Sequence, residues 1–79
     1  MKLSDAKSNT NLIITKINIK DDKLKNYLLG LGIIKDMKIK LIKTSFFNGP
    51  IIIYLNNYQL SISKTISNQI EVDYSWILS

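Results

Sequence analysis

The sequence predicts a mainly β protein, a small antiparallel barrel with one short α-helix after the first long strand. Three observations predict it. Several short apolar or alternating runs are separated by turn-forming residues, and a single stretch carries helical spacing instead. The chain has only 79 residues. A domain of that size buries about 60% of its unfolded surface, and a sheet curled on itself removes edges that a flat layer would leave open.

The elements follow in chain order. Met1 to Leu3 can pair as a short edge strand, with Ser4-Asp5 opening a turn. The polar stretch Lys7 to Asn11 leads into a strand from about Leu12 to Ile17, favoured by Ile13, Ile14, Thr15 and Ile17. Leu12 and Ile14 share one face and Ile13, Thr15 and Ile17 the other, which predicts a strand covered on both sides. Asp21 and Asp22 open a helix, where a carboxylate caps free N–H groups and meets the positive end of the helix dipole. Leu24, Tyr27, Leu28 and Leu31 form its inward stripe, with Lys23, Lys25 and Asn26 toward solvent. Gly30 lies in the last turn, either for close packing or merely tolerated, and Gly32 stops the helix.

After Ile33-Ile34 and a polar break at Lys35-Asp36, a strand runs from Lys38 to Lys43, with Ile39 and Leu41 on one face and Lys38, Lys40 and Ile42 on the other. Asn48-Gly49 is a turn signal, and Pro50 leads into a strand from Ile51 to Leu55. Asn56-Asn57 reads as a two-residue hairpin turn into Tyr58 to Ile62, with Tyr58, Leu60 and Ile62 inward. Ser63 to Asn68 has room for one helical turn. Ile70, Val72 and Tyr74 make the inward face of a last strand, with Glu71 and Asp73 outward. The reading is one domain over 1–79, with 73–79 as a C-terminal tail.

Composition narrows the function. There is no cysteine, hence neither a disulfide framework nor a thiolate metal site, and no histidine, the commonest general base. The net charge of +5 comes from eleven lysines with no arginine. A nucleic-acid binder is expected to use the bidentate arginine fork, so the charge fits a solvated lysine-rich surface or an acidic or anionic partner better. No stretch reaches the ~18 apolar residues of a membrane span, and no secretory signal opens the chain. A cytoplasmic protein is expected, with peripheral association at the inner membrane face as a further option.

No phosphate loop, nucleophile elbow, dinucleotide fingerprint or metal-ligand spacing occurs, and catalysis is not expected. Glu71 and Asp73 share a strand face where they could hold a hard cation, but an exposed face explains them without one. No metal or cofactor is expected. The stronger clues are apolar residues that a small barrel has difficulty burying: Ile33 and Ile34 in a turn, Phe46 and Phe47 near a hairpin tip, and Trp76 with Ile77 and Leu78 after the final strand. Each can be local packing. Together they are also the candidate partner-binding residues, because contiguous exposed apolar surface marks docking sites.

The order of these signals resembles the FeoA family of bacterial ferrous-iron uptake over nearly the whole chain. The carriers are the MKLSD start, the segment LKNYLLGLGIIKDMKIKLI, and NGPIIIYLNNYQLSISKTISNQIEV. Lys35-Asp36 stand where the family commonly has Pro-Gly, Phe46 where it often has proline, and Ser63 where it is often basic. The resemblance implies an SH3-like barrel that accompanies the membrane transporter FeoB by contacting its cytoplasmic part, in a regulatory or adaptor role without catalysis. A similar barrel forms the C-terminal domain of some metal-dependent repressors, which need a helix-turn-helix domain besides. The alternative from the residues alone is a small basic barrel binding nucleic acid through Lys35, Lys38, Lys40 and Lys43.

Overall fold

The computed structural model describes residues 1–44 and 49–74. Its elements are β1 (Thr10–Ile17), α1 (Asp22–Gly30), β2 (Lys38–Lys43), β3 (Ile51–Leu55), β4 (Tyr58–Ile62), a single helical turn α2 (Lys64–Ser67) and β5 (Ile70–Tyr74). A 3-10 turn, Leu3–Asp5, precedes them. The strands form one antiparallel sheet in the order β4-β3-β2-β1-β5. The expected fold class is the one observed.

The sheet wraps a single core. Leu12 and Ile14 of β1, Ile39 and Leu41 of β2, Ile51, Ile53 and Leu55 of β3, Ile62 of β4, and Ile70 and Val72 of β5 are all buried in it. No ladder joins β4 to β5 among the described residues, so the sheet keeps two edges, and that of β5 is covered. On β5 the cover is the start of the chain. Lys2 bridges Glu71, the Met1 amino group donates to the Val72 carbonyl at 3.2 Å, and Val72 N–H donates to the Met1 carbonyl at 2.8 Å. The expected edge pairing of the first residues is thus present, passing at Leu3 into the 3-10 turn.

Turn chemistry explains the joints. Asn56 and Asn57 both have positive φ, 47° and 67°, the geometry of a two-residue type I′ hairpin, which asparagine tolerates better than other side-chain-bearing residues. Asp21 caps α1, its Oδ1 accepting from Lys23 N–H at 3.0 Å and Leu24 N–H at 3.3 Å. Ser63 caps α2 by accepting from Ile66 N–H at 3.2 Å. Lys35-Asp36 make the turn after α1, with Met37 N–H donating to the Ile34 carbonyl at 3.2 Å and Asp36 at φ 71°. An aspartate here does what a glycine does more easily.

Two β-bulges alter the expected alternation. Along β1, Ile14 faces Val72 but Lys16 already faces Glu71, so Thr15 is the extra residue. Along β2, Leu41 faces Ile53 and Lys43 faces Ile52, so Ile42 is extra. Strict alternation from Leu12 and Ile14, or from Ile39 and Leu41, would aim Lys16 and Lys43 into the core. Burying an unpaired ammonium costs several kcal/mol, whereas a bulge shifts the parity by one and turns it outward. Both lysines are exposed. The same shift corrects the two-sided reading of β1. Ile17 packs against the core as Leu12 and Ile14 do, while Ile13 is half-buried and Thr15 exposed.

Helix α1 meets the sheet along a narrow stripe. Leu28 is buried and Leu24 and Leu31 are partly buried against the core, but Tyr27, expected inward, is 65% exposed. Tyr27 sits about 60° round the helix from that stripe, and a lone short helix has no second neighbour to cover its flank. Tyr74, placed inward by alternation, is 49% exposed at the last paired position of β5, where its ring and phenol remain in contact with water.

Two further contacts bear on stability. Nothing lies within 4 Å of a Cβ added at Gly30, so the glycine is tolerated and not needed for packing. Gly30→Ala is expected to stabilise the protein by up to about 1 kcal/mol, seen as a higher thermal midpoint. The Tyr58 hydroxyl donates to the Leu31 carbonyl, tying β4 to the end of α1. Tyr58→Phe is expected to cost about 1 kcal/mol and lower the midpoint by about 4–8 °C in thermal melts.

Candidate docking groove

The end of α1 decides what happens to the two candidate isoleucines. Leu31 is the last residue before Gly32, which takes φ 94°. Gly32 N–H donates to the Leu29 carbonyl at 3.0 Å, and Ile33 N–H donates to the Leu28 carbonyl at 2.9 Å. These paired bonds define a Schellman motif, in which the residue after the left-handed glycine packs on the residue three before the cap. Here those two residues are Ile33 and Leu28, both in the core. Ile33 is 1% exposed, so this half of the pair is structural as the fold stands. Ile34, one residue further on, is half-buried.

Ile34 helps to line a groove of about 460 Å³ between α1, the bulged end of β1 and the turn that follows the helix. The helix contributes Lys25, Asn26 and Leu29, the strand contributes Thr15, Lys16 and Ile17, and the turn contributes Ile33, Ile34 and Lys35. The geometry follows from local rules. Leu29 is four positions on from Lys25 and three on from Asn26, which puts it between them on a flank of the helix off the Leu24–Leu28–Leu31 stripe and away from Tyr27. The bulge at Thr15 brings Thr15, Lys16 and Ile17 to the same hollow. Apolar surface lies in its walls and floor and three ammonium groups lie around it, with no carboxylate among the lining residues.

Reasoning from sequence missed Leu29, which is 56% exposed. A signal was available, since Leu29 is the one leucine of the helix that falls off the stripe formed by Leu24, Leu28 and Leu31. Phe46, Phe47 and Trp76, like Asn48, Ile77 and Leu78, lie outside the described residues. A smaller hollow of about 180 Å³ is lined by Lys43, Thr44, Pro50, Ile52 and Ser61.

The other candidate chemistry is sparse. Among the described residues no three His, Cys, Asp or Glu side chains come together as a metal site. Glu71 Oε2 accepts from Asn18 Nδ2 at 2.6 Å, and Glu71 stands in register between Lys16 and Lys2, a neighbourhood that occupies it without a cation. On β2, Lys38, Lys40 and Lys43 are exposed, and Tyr54 is the cross-strand neighbour of Lys40. Lys35 is in the turn beside the groove instead. Among the described residues no helix is long and apolar enough to cross a membrane.

Residues 1–74 match the FeoA domain. The fold superposes on the solution structure of the FeoA protein from Chlorobium tepidum with a TM-score of 0.85 at 22% identity, over 96% of this chain and 71% of that one. It superposes equally on iron(II) transport protein A from Clostridium thermocellum, TM-score 0.85 at 23% identity, over 95% of this chain but 46% of that one. A manganese-dependent transcriptional repressor also shares the fold, with a TM-score of 0.84 at 16% identity, over 96% of this chain and 41% of the repressor. No curated protein matches by sequence. The same small barrel therefore occurs both in iron-transport proteins and within a longer regulator.

Proposed function

This chain belongs to the FeoA family, with a role in ferrous iron transport, and on that premise we propose that it is a non-catalytic accessory protein that docks on the cytoplasmic part of a FeoB-type transporter. The observation that carries the reading is the family match over residues 1–74. The residue inventory supports it. With neither histidine nor cysteine, the chain lacks the side chains that most often hold ferrous iron, and it is better suited to acting on a transporter than to carrying the metal. The protein then works in the cytoplasm, at the inner face of the membrane when its partner is there. Ile34, with Phe46, Phe47 and Trp76, remains a candidate contact; Ile33 lines the same groove from a buried position and holds its neighbour in place.

Titration of the purified protein with the transporter's cytoplasmic domain, and with full-length transporter in membranes, tests the reading. Saturable binding to at least one, and reduced ferrous uptake in a strain lacking the gene, are expected. Absence of binding to both, with normal uptake in the deletion strain, would refute it. The nucleic-acid alternative predicts oligonucleotide binding that weakens steeply with salt, and a flat response at low salt removes it.

A further inference from the structure

We propose that the groove beside α1 receives a short acidic and apolar segment of a protein partner, its apolar side chains seated against Ile17, Leu29 and Ile34 and its carboxylates meeting Lys16, Lys25 and Lys35. The inference rests on the docking reading above and adds to it the place and the chemistry of the contact.

Charge complementarity selects the occupant. The groove has three lysines and no carboxylate among its lining residues, so an anionic partner gains attraction at its rim. Lysine stems add apolar surface to the walls while the ammonium groups stay in water, which suits a partner that is apolar at the centre and acidic at the edges. On the helix side of the groove Leu29 is 56% exposed, and half-buried Ile17 and Ile34 line it with Leu29. A helix or extended peptide lays a few anchor side chains into this kind of hollow.

Other occupants fit less well. Single-stranded nucleic acid binds through stacking on aromatic rings, and no aromatic residue lines the groove. A lipid surface takes up apolar side chains that project from a face, whereas these lie within a concavity between two elements. A second copy of the chain brings a further net charge of +5 toward a basic rim.

The test uses the full chain labelled with nitrogen-15. The probes are the transporter's cytoplasmic domain and a synthetic amphipathic helix with leucines on one face and flanking glutamates. A control peptide carries lysine in place of each glutamate. The acidic peptide is expected to move the amides of Thr15 to Ile17, Lys25 to Leu29 and Ile34-Lys35 in a saturable way, and the lysine peptide to bind about tenfold or more weakly. Leu29→Glu and Lys25→Glu, both at exposed positions that leave the thermal midpoint near that of wild type, are each expected to weaken the transporter domain by about tenfold. If the domain binds wild type and both variants equally, the groove is overturned and the docking reading stands. If the domain does not bind at all, the docking reading fails, and the peptide alone decides the groove: saturable shifts there uphold it for another partner, and their absence overturns it. Phosphatidylglycerol vesicles or a single-stranded oligonucleotide moving these amides when the acidic peptide does not would also overturn it.

Discussion

Ile33→Ala is expected to lower the stability of the fold by about 2–5 kcal/mol, the range for truncating a fully buried aliphatic side chain. A domain of this length has a total stability of about 4–12 kcal/mol, so the variant should be close to unfolding at physiological temperature. The reason is position. Ile33 is 1% exposed, and it follows the left-handed glycine that ends α1, so its side chain packs back on Leu28. Ile34→Ala, at a half-buried site facing the groove, should cost clearly less. Urea denaturation of the two variants in parallel checks both statements. Equal and small losses would mean that the two isoleucines share one environment, contrary to the packing. A partner-binding defect of Ile33→Ala therefore has to be compared with its folded fraction before it is assigned to contact.

Gly32→Ala should cost about 1–3 kcal/mol, lowering the thermal midpoint by about 4–8 °C for each kcal/mol. Two effects combine. The backbone is at φ 94°, which a residue with a Cβ adopts only with strain. The added Cβ would also lie 2.8 Å from Asn56 Nδ2 and 3.3 Å from Leu55 Cδ1. The asparagine amide is the end of an exposed side chain and can swing away, whereas Leu55 is held in the core. Asn56→Gly in the same chain keeps the positive φ of the hairpin turn accessible and removes the amide, so it should recover only the part of the loss that the amide contact causes. Full recovery in the thermal melt would show that backbone strain at Gly32 contributes nothing. The glycine thus serves two elements at once: it ends the helix and leaves room for the β3–β4 hairpin.

Much of the architecture was legible because it depends on near neighbours. The period of two from Lys38 to Leu41, the run Ile51–Leu55, the asparagine pair of the hairpin and the aspartate before α1 each specify their own geometry within a few residues. The family resemblance rested on the same local signals in their order, and the match over residues 1–74 bears it out. The groove was not legible in the same way. Its strand side depends on the bulge at Thr15, which is a relation between β1 and β5 and has no mark in the residues of β1 alone beyond a lysine at the wrong parity. Its helix side depends on which flank of α1 is left uncovered, and that depends on where the sheet lies.

Local chemistry in the chain was enough for the class of fold, the boundaries of most strands, the helix and its stop, and the absence of the side chains that commonly carry catalysis or transition metals. These follow from steric preferences, turn geometry and composition, which act over a few residues. Only the tertiary structure separated Ile33 from Ile34, turned Lys16 and Lys43 outward, and set Leu29 beside Ile17. For the two lysines the outcome balances burial of apolar side chains against exclusion of a charge across elements far apart in sequence. Periodicity cannot express that balance, because it is settled only when the strands have found their register.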